Sequence, residues 1–506
     1  MKKHLSRINT AMKALTNKAT ILGLILTCGL ASCDDLLNAN ADGNISGDVY
    51  KSEANIKAAL NGAYYSFGGI YDGIDGGELF GGDFMLIPAL FVAQNGSELV
   101  WDRSRAPLYS DFVDNNVVAT NVRIESNWRR AYEVINLLNN IIKNIDNVTT
   151  EKDRVYGEAL AMRGILYFEM VRFWGAEYET ETVNSPSIPL LTEPIEEVNQ
   201  IVTPTLATVG AVYTQVETDL NQASTLLESL GTNGTNLSYY VCQAYLMRAA
   251  MHKGQYADAE DYANNILTSG SYDLANTPTE AFNNSSNSSE DIFAIQQTVS
   301  NNTGDITSGT GLTNYYASLS GVGVGAFRVL GGGLTTKSES LVNGARFSPV
   351  DLRGMRDTET STSSQASDID APFYKHITST SLYSPAKFLA SDRVVPVVRL
   401  AEIYLARAES IYEQSQTIDA DAISDLNEIR TRAALPALQV GDFASPQALM
   451  DSIKLEKKRE FLYEGLVFHD LKRWNDEIGN STPESFGQDE KFILPIPQAE
   501  VDTWGD

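Results

Sequence analysis

Residues 239–267 read YYVCQAYLMRAAMHKGQYADAEDYANNIL, and this stretch decides the fold class. Small and apolar side chains recur at spacings of three and four in its second half: Tyr256, Ala259, Ala263 and Ile266. That period is typical of a helix with one buried face. Lys253-Gly254-Gln255 separates two such segments, so we predict helices over 239–252 and 256–267 joined by a short turn. Side chains without bulk allow the close helix approach of tetratricopeptide-like pairs.

The same spacing recurs on both sides of this pair. It is found between Trp128 and Ile142, between Leu160 and Trp174, and between Val212 and Ala223. A second pair is predicted over 398–413 and 419–433. We therefore predict a mainly α fold of tetratricopeptide-like helix pairs, with the helical scaffold in residues 50–67, 122–276 and 391–475.

Two long regions lack helical periodicity. Residues 68–115 are rich in Gly, Asp and aromatic side chains, and residues 277–390 are rich in Asn, Ser, Thr and Gly. Irregular regions this long are usually functional or disordered, and their aromatic content argues against disorder. Binding surfaces are commonly built from loops held by a rigid scaffold. We therefore expect these two regions to form a ligand face.

The chain of 506 residues has a net charge of −27. So negative a surface repels phosphate backbones, and no nucleic-acid partner is expected. Cys242 is the only cysteine beyond the N-terminal segment, so an internal disulfide is not predicted there. It lies in an apolar stretch and is interpreted as a small buried side chain.

The N-terminal segment has the order of a secretory signal. A basic region up to Lys18 precedes an apolar run over 19–30, which is too short to cross a bilayer. The run ends in Leu30-Ala31-Ser32-Cys33, which is similar to a bacterial lipobox. We predict a signal peptide over 1–32, lipidation of Cys33, a mature domain over 33–506, and contact with the membrane through the lipid anchor only.

No sequence pattern supports catalysis. The histidines are His4, His252, His376 and His469, and none has a second His or Cys at metal-ligand spacing. Nucleophile-elbow and phosphate-loop motifs are absent from the sequence. Carboxylate pairs could hydrolyse glycosides, but among 65 acidic residues no pair stands out. We expect neither enzymatic activity nor a cofactor or metal, with a glycosidase as the hypothesis to test.

The C-terminal third carries the most specific segments. Residues 392–409 read DRVVPVVRLAEIYLARAE, residues 453–474 read IKLEKKREFLYEGLVFHDLKRW, and residues 492–497 read FILPIP. With Gly157–Trp174 in the expected order, these segments resemble the SusD/RagB family of outer-membrane nutrient-binding lipoproteins. Physically, residues 456–474 predict one charged structural helix that ends at Trp474 and whose Glu and Lys/Arg side chains pair with each other.

The resemblance implies a function as well as a fold. Members of this family capture oligosaccharides at the cell surface and pass them to a SusC-like TonB-dependent transporter without catalysis. The resemblance thus implies a lipid-anchored protein of the outer membrane. Two alternatives stay open: a RagB-like peptide-binding lipoprotein, and a helical-repeat scaffold that binds only protein partners.

A glycan site needs exposed aromatic rings beside carboxylates, amides or guanidinium groups. Trp128, Trp174 and Trp474 lie on helical stripes and are interpreted as core residues. Trp101 lies in an irregular region, next to Asp102 and Arg103, and is the first candidate. The other candidates for ligand binding lie in the same two regions: Tyr71, Asp72, Asn314, Tyr315, Tyr316, Phe327 and Arg328.

Overall fold

The computed structural model describes residues 49–72, 76–92, 99–196, 200, 203–231, 235–305, 307–330, 340–342, 345–348, 350–354, 372–375, 382–476, 478 and 492–504. The predicted signal peptide and Cys33 lie outside these residues. From Tyr50 onward, apart from 195, 196 and 200, the described residues form one compact unit; Val49 and those three residues belong to a second unit.

Helices dominate the described chain, as predicted. In chain order they are α1 Glu53–Phe67, α2 Asp83–Val92, α3 Ser110–Val113, α4 Val122–Lys143, α5 Lys152–Trp174, α6 Val209–Leu227, α7 Tyr239–His252, α8 Tyr256–Leu267, α9 Gly311–Tyr316, α10 Leu400–Ser415, α11 Ala420–Arg432, α12 Pro446–Glu460, α13 Leu466–Trp474 and α14 Gln498–Val501. None of these helices is long and apolar enough to cross a bilayer.

The helix pair quoted at the start is confirmed at its bounds. α7 and α8 begin and end at the predicted residues, and Gly254 in the turn has a φ of +67°, a conformation that favours glycine. Ala259, Ala263 and Cys242 are fully buried. The second predicted pair corresponds to α10 and α11, and the Asp419 carboxylate caps α11 by accepting from two backbone N–H groups.

The predicted loop region 68–115 contains a helix that periodicity missed. All of α2, DFMLIPALFV, is buried, so its apolar residues do not alternate with polar ones and give no stripe to detect. Phe84 stacks on Phe173 of α5, with ring centroids 5.2 Å apart, and Phe91 stacks on Phe468 of α13 at 4.9 Å. This helix therefore ties the first irregular region to the scaffold.

The described strands are short and pair antiparallel. They are β1 Leu99–Trp101, β2 Pro186–Pro189, β3 Leu206–Thr208, β4 Asp291–Ile295, β5 Phe327–Leu330, β6 Ser340–Val342, β7 Ala345–Phe347, β8 Phe373–Lys375, β9 Leu382–Pro385 and β10 Val395–Arg399. One sheet has the order β1-β5-β9-β8, and the remaining strands form the pairs β10-β4, β2-β3 and β6-β7. The first sheet joins both predicted loop regions.

The single helix predicted over 456–474 is wrong, because the chain breaks between α12 and α13. Tyr463 and Gly465 have φ values of +71° and +81°. A Cβ atom on Gly465 would lie 2.8 Å from Met85 Cα, so only glycine permits this approach to α2. The break turns α13 toward α2 and lets Phe468 reach Phe91.

One predicted pair within the helix is present, because Arg459 lies 3.5 Å from Glu456 in α12, but the acidic side chains of this segment also pair with other parts of the chain. Arg353 donates to Glu460 at 3.3 Å, and it also contacts Glu456. Arg399, at the end of β10, donates to Glu464 at 2.9 Å. Arg353 and Arg399 come from other segments of the chain, and these two arginines and the three glutamates are all buried. The network therefore fastens loops to the scaffold.

Candidate ligand-binding face

The first sheet brings together candidates that are far apart in the sequence. In the β1-β5 pair Trp101 lies opposite Phe327, and their ring centroids are 6.1 Å apart. Tyr315, on α9, approaches the Trp101 ring to 5.9 Å. Tyr316 stacks on Phe327 at 5.2 Å. Residues of both irregular regions therefore form one aromatic cluster.

This aromatic cluster is buried, so the exposure expected of Trp101 as a sugar-stacking platform is not observed. The Trp101 side chain is 7% exposed because Tyr109, Tyr315 and Phe327 surround its ring. Its indole N–H donates to the Ala106 carbonyl at 3.0 Å, which fixes the ring in place. The remaining buried candidates are Asn314, Tyr315, Tyr316 and Phe327.

Charged side chains adjoin the buried aromatic cluster along the chain. The Asp102 carboxylate accepts from the Ser104 backbone N–H at 3.0 Å and pairs with Arg328 and, at 3.4 Å, with Arg105. Partial burial opposes ionisation, but the Ser104 hydrogen bonds and the Arg328 charge lower the pKa of Asp102. Arg103 is exposed and pairs with Asp114. We call Asp102, Arg103, Arg105 and Arg328 the charged rim.

Tyr71 and Asp72 contact other elements. The Tyr71 backbone N–H donates to the Asn302 carbonyl at 2.8 Å, and its carbonyl accepts from the Tyr65 hydroxyl at 2.9 Å. Asp72 pairs with Arg130 of α4 at 3.2 Å. These contacts fasten the chain after α1 to the loop around residue 302.

The sequence analysis missed two residues that the structure places beside these candidates. Arg105 is exposed, and its guanidinium donates to the Val324 carbonyl at 2.7 Å, which joins the two irregular regions. Tyr65 is 37% exposed and holds Tyr71. The sequence did contain a signal for the exposure of Tyr65. The buried residues of α1 recur at helical spacing, and Tyr65 lies outside that stripe, which consists of Ile56, Leu60, Ala63 and Phe67.

The chemistry available at this face is hydrogen bonding and ion pairing. In the part of the chain that the structure describes, no group of three or more His, Cys, Asp or Glu side chains could hold a metal. The two described histidines are buried in the scaffold, where burial lowers the pKa of each. His252 Nδ1 lies 3.1 Å from Glu177, and His469 packs between Phe173 and Phe468.

Comparisons with known proteins agree with this architecture. Residues 355–492 match the profile of the SusD family, and residues 101–233 match a family described as starch-binding associating with outer membrane. SusD-like protein P2 of Formosa agariphila is 23% identical over 523 residues, which cover 96% of this chain and 97% of that protein. A second relative, SusD-like protein P38 of the same organism, is 21% identical over 535 residues, with coverage of 96% and 97%.

Solved structures share the fold. A SusD superfamily protein from Bacteroides thetaiotaomicron superposes with a TM-score of 0.69 at 24% identity, covering 89% of this chain and 98% of that one. A SusD-like carbohydrate binding protein from Bacteroides fragilis gives a TM-score of 0.68 at 19% identity, with coverage of 90% and 99%. The two profile matches together span just over half of the sequence, and the relatives match nearly all of it. The chain therefore belongs to the SusD family.

Proposed function

We propose that this chain is a surface lipoprotein that captures oligosaccharides and passes them to a SusC-like TonB-dependent transporter, without catalysis. The family descriptions support a carbohydrate ligand and association with the outer membrane. The lipobox-like Cys33 supports anchoring by lipid. The observation that carries the proposal is the membership of the SusD family, over both the scaffold and the loop-built face.

The charged rim supplies a physical basis for capture at this face. Arg103 and Arg105 are exposed, and each is held by a fixed partner: Asp114 for Arg103, and the Val324 carbonyl for Arg105. Groups held in place lose little conformational freedom when a ligand binds. Guanidinium N–H groups donate to sugar hydroxyls, and Asp102 can accept from them. The buried aromatic cluster, Trp101 included, serves here as the rigid support next to the rim.

A peptide ligand is the second candidate, and the same rim favours it. Two exposed guanidinium groups beside a carboxylate can pair with the charged ends and side chains of a peptide. Neutral oligosaccharides offer no such charges. Binding to a peptide should therefore weaken strongly as salt rises, whereas binding to a neutral glycan should change little.

The direct test is calorimetric titration of the full chain, purified in detergent. The panel holds starch-derived and other neutral oligosaccharides, acidic oligosaccharides and short peptides. Binding of a saccharide that is recovered intact would support the proposal. Binding of peptides alone would move the function to the RagB-like alternative. Cleaved sugar would overturn the absence of catalysis, and no binding at all would favour a scaffold for protein partners.

Substitutions in the rim test where the ligand binds. Arg103→Ala and Arg105→Ala should each weaken binding several-fold without loss of folding, because both side chains are exposed. Arg129→Ala on α4 is the matched control, since Arg129 is also exposed and pairs with Glu133 at 2.9 Å. Unchanged affinity in both rim variants would exclude the rim as the site. Trp101→Ala is less informative, because loss of a buried ring also destabilises the fold.

Anchoring and the transporter partner have separate tests. Cys33→Ser should abolish incorporation of labelled fatty acid and release the chain from the outer-membrane fraction. Cross-linking in the native cell, followed by affinity purification, should recover a TonB-dependent transporter with the wild-type chain. Fatty-acid labelling that persists in Cys33→Ser would contradict the assigned lipidation site. Failure to recover any transporter would contradict the proposal that the chain works with a TonB-dependent transporter.

A further inference from the structure

A cleft of about 330 Å³ lies between α1, β4, residues 235–236 and the loop around residue 300. Its volume falls at the lower end of the range of small-molecule sites. It contains none of the residues predicted for ligand binding. Its lining includes Asn61, Tyr64, Tyr65, Phe293, Gln296 and Asn301.

The floor and the side of this cleft are apolar and rigid. Phe293 and Ile295 of β4 are buried beneath it. Tyr64 is fixed at its hydroxyl, which donates to Glu158 at 2.9 Å and accepts from the Leu237 N–H at 2.8 Å. The shape of the cleft is therefore set before any ligand arrives.

Tyr65 presents an aromatic ring to solvent at this cleft. It is 37% exposed, and it is the most exposed aromatic residue among those that the structure describes. Its hydroxyl donates to the Tyr71 carbonyl at 2.9 Å, so the ring does not rotate freely. An exposed ring held in one orientation is what stacking on the C–H face of a sugar requires.

The rim of the cleft consists of amides. Asn61 and Asn301 are exposed, and Gln296 is exposed with its amide nitrogen donating to Asn287 at 2.7 Å and to the Ala294 carbonyl at 2.9 Å. Amides both donate and accept, as sugar hydroxyls do. Among the described residues that line the cleft none is charged, although the chain as a whole has a net charge of −27.

We propose that this cleft is a binding subsite for a neutral sugar residue of an oligosaccharide, separate from the charged rim. The Tyr65 ring stacks on the sugar, and Asn61, Gln296 and Asn301 hydrogen-bond to its hydroxyls. An anionic sugar is disfavoured, because the described lining of the cleft offers no cation and the whole chain has a net charge of −27. This inference rests on the proposed carbohydrate function and assigns it a second place of contact.

The test uses the full chain in detergent and a glycan array that holds neutral, uronic-acid and sulfated oligosaccharides. The best neutral binder is then titrated calorimetrically against variants. Tyr65→Ala should weaken its affinity at least ~5-fold, whereas Tyr65→Phe, which keeps the ring but loses the hydroxyl bond to the Tyr71 carbonyl, should weaken it less than Tyr65→Ala does. Asn61→Ala, at an exposed position, should weaken affinity about 3-fold without affecting folding. Tyr262→Ala on α8 is the control for loss of a partly exposed tyrosine.

The outcomes separate this inference from the proposed function. Neutral saccharide binding that is equal in wild type, Tyr65→Ala and Asn61→Ala would overturn the subsite and leave the carbohydrate function standing. Selective binding of anionic oligosaccharides would overturn the assignment to neutral sugars. If the wild-type chain binds no saccharide, the proposed function fails and the subsite fails with it. Loss of affinity in Tyr65→Ala and Asn61→Ala, with normal binding in Tyr262→Ala, supports the subsite.

Discussion

Arg399 donates two hydrogen bonds to the same oxygen of Glu460, Oε1, each at 3.1 Å, and both side chains are at most 2% exposed. Arg399 also donates to Glu290 at 2.8 Å. One guanidinium group thus compensates carboxylates from the start of β4 and from the end of α12. Burial and the surrounding cations act in opposite directions on Glu460, and the cations dominate, so the pKa of its carboxyl is lowered.

Arg399→Met should lower the free energy of unfolding by about 3–5 kcal/mol, because the buried carboxylates of Glu290, Glu460 and Glu464 each lose one of their cationic partners. Methionine keeps most of the volume, so the loss reports the charge rather than a cavity. Arg393→Met is the matched control: Arg393 pairs with Asp392 at 2.8 Å, but its side chain is 36% exposed. Urea denaturation should show a change below about 0.5 kcal/mol for the control. Equal losses in both variants would contradict the role given to the network.

His469→Gln should change how stability depends on pH. Burial, together with the charges of Arg172 and Lys472, holds the pKa of His469 well below its usual value of 6.5 in the folded protein. Below pH 6.5 the unfolded chain therefore takes up a proton that the folded chain does not, and His469 destabilises the wild type as pH falls. Below pH 6, the free energy of unfolding of the wild type should fall by about 1.4 kcal/mol per pH unit, relative to that of His469→Gln, as pH decreases.

Measurement between pH 5 and 8 suits this comparison, because carboxylates with lowered pKa values such as Glu177 and Glu460 affect stability only at more acidic pH. Unfolding curves of the two proteins at each pH give the difference directly. A difference that stays constant from pH 8 to pH 5 would exclude a neutral buried His469.

Asp291→Asn should give a pH dependence of the opposite sign. Burial raises the pKa of Asp291 to about 7 in the folded protein, well above that of an unfolded aspartate. At a pH between the unfolded and the folded pKa, the folded chain holds a proton that the unfolded chain has released. The free energy of unfolding therefore falls as pH rises toward 7. Relative to the wild type, Asp291→Asn should therefore become more stable between pH 5 and 7. A variant that is less stable at pH 7.5 than at pH 5, relative to wild type, would contradict this protonation.

Gly465→Ala should destabilise the fold by more than about 2 kcal/mol. Its φ is +81°, and a Cβ atom there would lie within 3 Å of Met85 Cα and of the Phe84 carbonyl oxygen, which are backbone atoms that cannot move aside cheaply. Gly62→Ala is the control, since no atom lies within 4 Å of a Cβ placed on this helical glycine. The free energy of unfolding of Gly62→Ala should rise by about 0.5–1 kcal/mol. Thermal melts of both variants measure the contrast.

The scaffold could be predicted because its signals are local. α7 and α8 each have one apolar face, and Gly254 marks the turn between them, so neighbouring residues contain all the information. α2 escaped prediction because it is buried on every side. The break at Gly465 has a single glycine as its only local signal, and its cause, the approach of Met85, lies far away in the chain.

The candidate face was predicted in part. Both irregular regions do meet at β1 and β5, but the contact between Asp102 and Arg328 joins residues 226 positions apart, which no local pattern reports. Polar neighbours suggested an exposed Trp101, whereas three aromatic rings from more distant positions bury it. The contribution of each candidate to ligand binding stays a prediction.

The Arg353 anchor has an evolutionary consequence. Arg353 is bound by Asp351 at 2.9 Å and by two carboxylates of α12, so this point in the second irregular region is fixed to the scaffold. The chain on either side of the anchor can then gain or lose residues without changing the packing of the helices. Relatives that keep Asp351, Arg353, Glu456 and Glu460 are free to diversify in loop length and loop sequence. The loops of this region can therefore change without a new fold.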